Sequence, residues 1–497
     1  MSTKYPEGAN RMNMKWSRWK TVLTCAFLAL AIVVCDARTA SALPTGKVMA
    51  IPAFARKYGL PCSACHTAWP ELNNFGQVFR DNGYQLMNDR DSPIWQNPSY
   101  FPISFRITPA WHRETANNQV FDGPGGANTA IGNVTQSGFD LSGMDLWSAG
   151  TIYKNISFVL LPSSDPTAVW HFESAFIRFD NLWHSPWLNV KFGRFELDNL
   201  ISEKRFLFLS GNGGSYQIYH FTPPGDVNNF GFGDNQIGVE LAGHSANSYT
   251  RYSVSVVSSN EGGVNFTTDV LPGAPPGNRT YDVNLAFSQA FNAPGPPGES
   301  GFGQERIGAF AYIGQRPTGY QTEGGGTTQL VGIDNKPFYR VGFAADLSYK
   351  NLELMPLFMY GHDNAYLGTA ALGISSADPL PTGAQAPTFY GGFLEAHYYL
   401  NPQNVALARF EQINVGQQAF ANSGNGSSSN GNITAYSFGY RWYPIMFSRG
   451  GVALDGEYSR VRTIGEVPLS GDGDGIVGNP NNAVWSSSIY FGIDFDF

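Results

Sequence analysis

The chain has 497 residues, of which 14% are charged and 14% are aromatic, and its formal net charge is −8. About 25% charged residues is usual for globular proteins, so this composition argues against an ordinary soluble enzyme. The basic residues form no block, which excludes nucleic acid as an expected partner.

Residues 1–42 have the pattern of a secretory signal peptide. Basic residues precede an apolar run from Thr21 to Cys35, and Ala40-Ser41-Ala42 supplies small residues for cleavage. The run is short for a membrane-spanning helix. Cleavage would remove Cys25 and Cys35 and leave two cysteines in the mature chain.

Those two cysteines lie in the sequence Cys62-Ser63-Ala64-Cys65-His66. Two thiols at this spacing can each add to a vinyl group of one haem, and the next imidazole is then close enough to bind the iron. A zinc site or a redox dithiol is the alternative, but the next histidine, His112, is far along the chain. We therefore predict one covalent haem c attached to Cys62 and Cys65, with His66 as an axial iron ligand.

Residues 43–100 form the predicted haem segment. From Ala68 to Leu86 apolar residues recur at helical spacing, and Asn82-Gly83 is a suitable stop, so one amphipathic helix is expected there. The segment is short for burying a haem alone, because domains this small tend to need outside support. Another part of the chain should therefore shelter the cofactor.

From Phe101 onward the pattern changes to period-two alternation between clusters of Gly, Asn, Pro and Ser, which is typical of strands. Sixteen strands are predicted: 103–111, 145–153, 156–161, 169–180, 187–195, 236–242, 251–257, 281–288, 306–313, 339–349, 352–360, 389–400, 405–413, 433–443, 452–462 and 485–497. Short connections alternate with long ones such as 112–144 and 314–338, but the 162–168 and 290–305 links break the pattern.

An even strand number and alternating loop lengths favour a transmembrane barrel. We predict an all-β fold for residues 101–497, an antiparallel barrel of about 16 strands whose lumen is plugged by the helical haem segment. A soluble sandwich or propeller is the alternative. In the last strand, apolar side chains from Ile489 to Phe497 alternate with polar or small ones, which resembles the terminal strand of bacterial outer-membrane proteins and places Asp494 and Asp496 in the lumen.

The same alternation assigns histidines to the lumen. If Trp170, Phe172 and Phe176 face lipid, His171 and Glu173 face inward. If Leu394 and Tyr398 face lipid, Glu395 and His397 face inward.

Candidates for the second axial iron ligand are His397, Met87 and His171. His112 and Met49 are further candidates. For each of them the alternative is an ordinary lumen or segment residue without contact to iron. Strand direction places His397 near the haem end of the lumen and His171 near the outer rim.

Residues 62–86, CSACHTAWPELNNFGQVFRDNGYQL, followed by a barrel ending in Phe, resemble the fused outer-membrane cytochrome–porins of ferrous-iron-oxidising bacteria. The similarity covers the motif in detail and the barrel only in architecture. Gln77 departs from the pattern, because a basic residue is expected after Phe75-Gly76.

The resemblance implies an outer-membrane iron oxidase. Fe(II) would be oxidised at the outer loops or in the lumen, and single electrons would pass through a barrel-enclosed haem to a periplasmic cytochrome c or copper protein. Two alternatives stay open: a porin-like channel with a structural haem plug, and an outward-directed reductase of external acceptors. Many porins of this size are trimers, so a homotrimer is a candidate assembly.

Overall fold

The structure is a computed structural model that describes residues 52–61, 64–87, 91, 93–96, 102–124, 126–164, 169–205, 207–221, 231–258, 281–291, 305–324, 327–362, 388–415, 432–447, 450–464 and 483–497. The predicted signal peptide, Met49 and Cys62 lie outside the described residues.

Across the described ranges, 16 antiparallel strands close into one barrel, in which each strand pairs with its neighbours in sequence and β1 pairs with β16. The strands are β1 Ile103–Gly123, β2 Gly126–Tyr153, β3 Ile156–Ser164, β4 Trp170–Phe179, β5 Asn189–Glu196, β6 Asn235–His244, β7 Thr250–Ser258, β8 Tyr281–Ala290, β9 Arg306–Gly324, β10 Thr327–Tyr349, β11 Leu352–His362, β12 Thr388–Asn401, β13 Asn404–Val415, β14 Asn432–Phe447, β15 Gly450–Ile464 and β16 Ala483–Asp496. The predicted barrel and its strand number are confirmed.

The barrel wall is apolar outside and polar inside. Large apolar side chains such as Phe343, Phe410 and Phe491 are exposed on the outer face, whereas Arg441 and Asp494 are fully buried in the interior. Alternation of this kind is expected where one face of each strand contacts lipid. The structure is therefore a porin-like membrane barrel, and the predicted orientation of the last strand is confirmed.

Two predicted loops are strand instead. Residues 112–144 extend β1 and β2 into a long hairpin that continues to the pair Gly123↔Gly126, and residues 314–338 do the same for β9 and β10. The prediction of loops there was wrong because these stretches lack alternating apolar residues. In these two hairpins the strands are joined by backbone hydrogen bonds, which do not require an alternating pattern of apolar side chains.

Two α-helices precede the barrel, α1 Pro52–Tyr58 and α2 Asn74–Asp81, and a 3₁₀ turn at Ile94–Gln96 follows them. A second 3₁₀ turn, Leu182–His184, connects β4 to β5. The predicted helix 68–86 begins later than expected, because the side chain of Asn73 caps α2 by accepting from the backbone N–H of Gly76 at 3.0 Å. It ends at Asn82 as predicted. No helix among the described residues is long and apolar enough to cross a membrane.

The described part of the predicted haem segment contacts the barrel at the end where the short turns lie. Arg56 donates to the carbonyl of Ile103 at 2.7 Å, and the Tyr443 hydroxyl donates to the carbonyl of Trp69 at 2.7 Å. Ile103 opens β1, and Tyr443 lies next to the β14–β15 turn. In outer-membrane barrels the short turns face the periplasm.

Beyond the haem segment, part of the β5–β6 connection folds into the lumen. We call residues 197–205, 207–221 and 231–234 the inner loop. Leu197, Leu207 and Phe208 are fully buried there, and the carboxylate of Glu457 accepts from the backbone N–H groups of Leu209 at 2.6 Å and Ser210 at 2.8 Å. The interior is thus occupied by protein from two directions.

Candidate functional site

A large cavity separates the haem segment from the barrel wall. It contains about 1770 Å³ of space not filled by atoms, part of it open to solvent. The haem segment contributes Cys65, His66 and Phe79 to its lining, and the wall contributes Val159 and Phe176. Cavities that are mostly apolar with a few polar groups are the usual form of cofactor sites.

His66 is buried, with 5% of its surface exposed, and its two ring nitrogens have different surroundings. Nδ1 lies 3.2 Å from the carbonyl oxygen of Pro70 and 3.0 Å from that of Glu71. Carbonyl oxygens only accept, so Nδ1 carries the proton. Nε2 is buried without a hydrogen-bond partner, and burial lowers the pKa of the imidazole to about 4. The unprotonated Nε2 has the form of a metal ligand whose orientation is set by the opposite nitrogen.

Cys65 directly precedes this imidazole and lines the same cavity. Burial raises the pKa of its thiol to about 12. Gly76 makes the close approach of α2 possible, since a Cβ atom there would lie 2.1 Å from the carbonyl oxygen of Cys65. The other predicted attachment residue, Cys62, is not among the described residues.

Two guanidinium groups of the cavity lining meet at one carboxylate. Arg80 of α2 and Arg205 of the inner loop share the carboxylate of Glu196, at 3.6 and 2.9 Å. Burial and then the neighbouring Arg80 lower the pKa of Arg205. Arg80 also interacts with Asp198, and guanidinium groups are suited to bind an anionic group such as a haem propionate.

His244, the last residue of β6, lines the same cavity. It is 3% exposed, its Nδ1 donates to the carbonyl of Ser245 at 2.9 Å, and its Nε2 is buried without a partner. The sequence-based prediction did not include His244, because β6 was predicted to end at Ala242 and His244 therefore fell in a turn.

The structure places the predicted second ligands elsewhere. His171 is exposed, Met87 is 49% exposed, and neither lines the cavity. His112 contacts Glu114 through Nδ1 at 3.4 Å and is also outside the lining.

His397 is buried in the lumen and lies against the haem segment, as strand direction predicts, but both of its nitrogens are engaged. Nδ1 is 3.2 Å from Glu71 and 3.5 Å from Glu353, and Nε2 is 2.7 Å from Glu395. The Tyr399 hydroxyl also contacts Glu71 and Glu353, at 2.9 and 2.7 Å.

Ligand atoms of Glu71, Glu353 and His397 lie within 4.8 Å of one another, a spacing that a cation could occupy. They are nevertheless joined to each other and to Tyr399 by hydrogen bonds. In this arrangement the cluster attaches the haem segment to β11 and β12.

The prediction that Phe176 faces lipid was wrong. Phe176 points into the lumen, where it lines the cavity and packs on Phe195 with a ring separation of 6.5 Å. The pairing of β3 with β4 skips Glu173, so this bulge inverts the alternation between Phe172 and Ser174. Phe172 faces outward as predicted, and so do Leu394 and Tyr398.

No protein-family model and no curated protein matches the chain. Solved structures of outer-membrane channels are similar to it. An anion-selective porin from Comamonas acidovorans aligns at 10% identity and a TM-score of 0.47, covering 80% of this chain and 99% of the porin. The outer membrane channel DcaP of Acinetobacter baumannii aligns at 10% identity and a TM-score of 0.43, covering 78% of this chain and 96% of the channel. OprB of Pseudomonas putida gives 10% identity and a TM-score of 0.43, with 79% and 94% covered.

Proposed function

We propose that this chain is an outer-membrane c-type cytochrome that takes single electrons from external Fe(II) and passes them to a periplasmic cytochrome c or copper protein. The observation that carries the proposal is the buried, unpartnered Nε2 of His66 beside Cys65, in a cavity inside a closed barrel. Fe(II) as the donor comes from the resemblance of residues 62–86 to iron-oxidising cytochrome–porins.

The residues of the cavity fit a haem. Cys62 and Cys65 would form the thioether bonds, His66 would bind the iron through Nε2, and Arg80 and Arg205 would face propionate groups. When bound, haem c supplies a one-electron Fe(III)/Fe(II) couple. Phe79, Phe176 and similar side chains would give the porphyrin an apolar contact surface.

The position of the cavity in the barrel supports transfer of the electron to an acceptor on the periplasmic side. Trp69, three residues after His66, contacts Tyr443 near the end with the short turns, and the opposite end carries the long β1–β2 and β9–β10 hairpins. The hydrocarbon band of such barrels is about 25 Å tall. In our proposal Fe(II) loses one electron on the outer side, the acceptor gains one on the periplasmic side, and the iron itself never crosses.

The test uses the full-length protein in liposomes that enclose an oxidised cytochrome c. Anaerobic Fe(II) added outside should produce the absorption bands of reduced cytochrome c inside. A Cys62→Ser/Cys65→Ser variant provides the matched control, because it lacks the thioether bonds but keeps the barrel, and it should give no internal reduction.

The proposed donor would be wrong if dithionite reduces the bound haem of the wild-type protein while Fe(II) leaves it oxidised. Outward transfer or a structural haem plug would then be favoured. Absence of any covalently bound haem in the purified wild-type protein would contradict the cytochrome assignment itself.

A further inference from the structure

We propose that His244 is the second axial ligand, so that the iron is held between two imidazoles, one from the haem segment and one from the barrel wall. This inference rests on the proposed c-type haem in the cavity. His244 is not among the second-ligand candidates that we predicted from the sequence. With His244 as ligand, the barrel wall would bind the iron of the cofactor directly.

The first support is that His244 and His66 are prepared in the same way. The Nδ1–H group of His244 donates to the backbone carbonyl of Ser245 at 2.9 Å, and that of His66 donates to the backbone carbonyl of Glu71 at 3.0 Å. In each ring Nε2 is buried without a partner, and both side chains line one cavity. A buried imidazole that lacks a partner loses the hydrogen bond it would make in water, and a metal bond supplies the missing interaction.

The second support is that three other side chains of the cavity lining that could bind iron already have partners within the protein. Lys191 pairs with Glu240 and Lys204 pairs with Glu173 at 3.2 Å, while the Tyr252 hydroxyl donates to the carbonyl of Trp187. None of the described residues that line the cavity is a methionine. An imidazole is also a common and strong iron ligand.

The third support is that the backbone at His244 is fixed in place. Its N–H donates to the carbonyl of Pro186 at 3.1 Å, and it pairs with Arg251 of β7. The preceding Gly243 allows close packing, because a Cβ atom there would lie 2.4 Å from the carbonyl oxygen of Trp187. A ligand on a paired strand is positioned more accurately than one on a free loop.

The test compares His244→Ala with three control variants, His397→Ala, His171→Ala and Met87→Ala, in the full-length haem-loaded protein. Ferric electron paramagnetic resonance should show low-spin iron in the wild type and in all three controls. His244→Ala should keep its covalent haem but become high-spin, and its reduced form should bind carbon monoxide. Added imidazole should return the variant to the low-spin state.

A low-spin spectrum in haem-loaded His244→Ala that matches the wild type would overturn the inference, as would a high-spin spectrum confined to one of the controls. Should the variant fail to fold, near-infrared magnetic circular dichroism of the unmodified protein decides the question. A bis-imidazole band, together with low-spin spectra in all three controls, supports His244, and an imidazole–thioether or five-coordinate band contradicts it. Wild-type protein without haem refutes the proposed function instead, so the two failures are distinguishable.

Discussion

Gly76, in the first turn of α2, sets how closely the haem segment folds around Cys65. A Cβ atom at Gly76 would lie 2.1 Å from the Cys65 carbonyl oxygen and 3.0 Å from its carbon, and backbone atoms cannot rotate away. We expect Gly76→Ala to displace α2 and to cost about 1–3 kcal/mol in the free energy of unfolding, the usual range for overpacking. Thermal unfolding and covalent haem content measure the effect.

Gly138→Ala is the matched control for this substitution, since a Cβ atom at Gly138 meets no atom within 4 Å. It should leave both thermal unfolding and haem content at wild-type values. Equal behaviour of the two variants would contradict the close-packing role of Gly76.

Individual residues also show where a sequence-based prediction of the site reaches its limit. Cys65 and His66 are found from their spacing alone, because the chemistry demands that spacing. His244 and His397 both sit on inward faces near the same end of the barrel. What separates them is the neighbours of each ring: a carbonyl and an open cavity for His244, and three carboxylates for His397. Those neighbours come from distant strands and are fixed only by folding.

At the scale of elements, an acidic clamp joins α2, the inner loop and β7. Arg251 contacts Asp81 at 2.9 Å and Asp198 at 2.6 Å. Burial would raise the pKa of Asp198, but the guanidinium groups of Arg251 and Arg80 lower it from 3.8 to about 2. A carboxylate with a lowered pKa stabilises the fold fully above its ordinary pKa, and the contribution declines as the pH falls toward its folded-state pKa.

We therefore expect Asp198→Asn to reduce the free energy of unfolding by about 2 kcal/mol at pH 7, since one pKa unit corresponds to about 1.4 kcal/mol. The difference from wild type should shrink between about pH 5 and pH 2, because the wild-type carboxyl is then also becoming neutral. Denaturant unfolding across this range measures it. A difference that is constant with pH would show that the charge of Asp198 is not what stabilises the clamp.

The strands themselves were largely predictable from sequence, because lipid outside and a polar lumen inside impose alternation on each of them. The errors have identifiable causes. Residues 112–144 and 314–338 form ladders whose sequence shows no alternation, and the bulge at Glu173 reverses the facing of Phe176. Backbone pairing and bulges are set by the partner strand, so a single strand's sequence does not encode them.

At the scale of the whole molecule, the inner loop occupies part of the barrel lumen. Glu457 of β15 binds the backbone N–H groups of Leu209 and Ser210, and Arg409 donates to the carbonyl of Ser215 at 2.9 Å. We expect single-channel conductance in planar bilayers to be near background for the wild type. Glu457→Gln should raise it, because an amide accepts more weakly than a carboxylate and its N–H groups repel backbone donors.

Ser459→Ala is the control, since it removes only a hydroxyl contact to Ser210 at 3.2 Å and should leave the conductance near background. High conductance in the wild type would favour the structural-plug channel over the cytochrome. A conductance measurement therefore distinguishes a channel from a cytochrome, and it does not depend on the identity of the electron donor.

The ladder between β1 and β16 joins the first and last strands of the barrel. The barrel consequently stays open until β16 has been synthesised and has paired with β1. His66 lies inside, and burial raises the pKa of the neighbouring Cys65 thiol to about 12, which lowers the fraction of reactive thiolate once the wall is shut. In our proposal, covalent attachment of the haem would therefore precede the pairing of β1 with β16, while the thiol of Cys65 is still accessible.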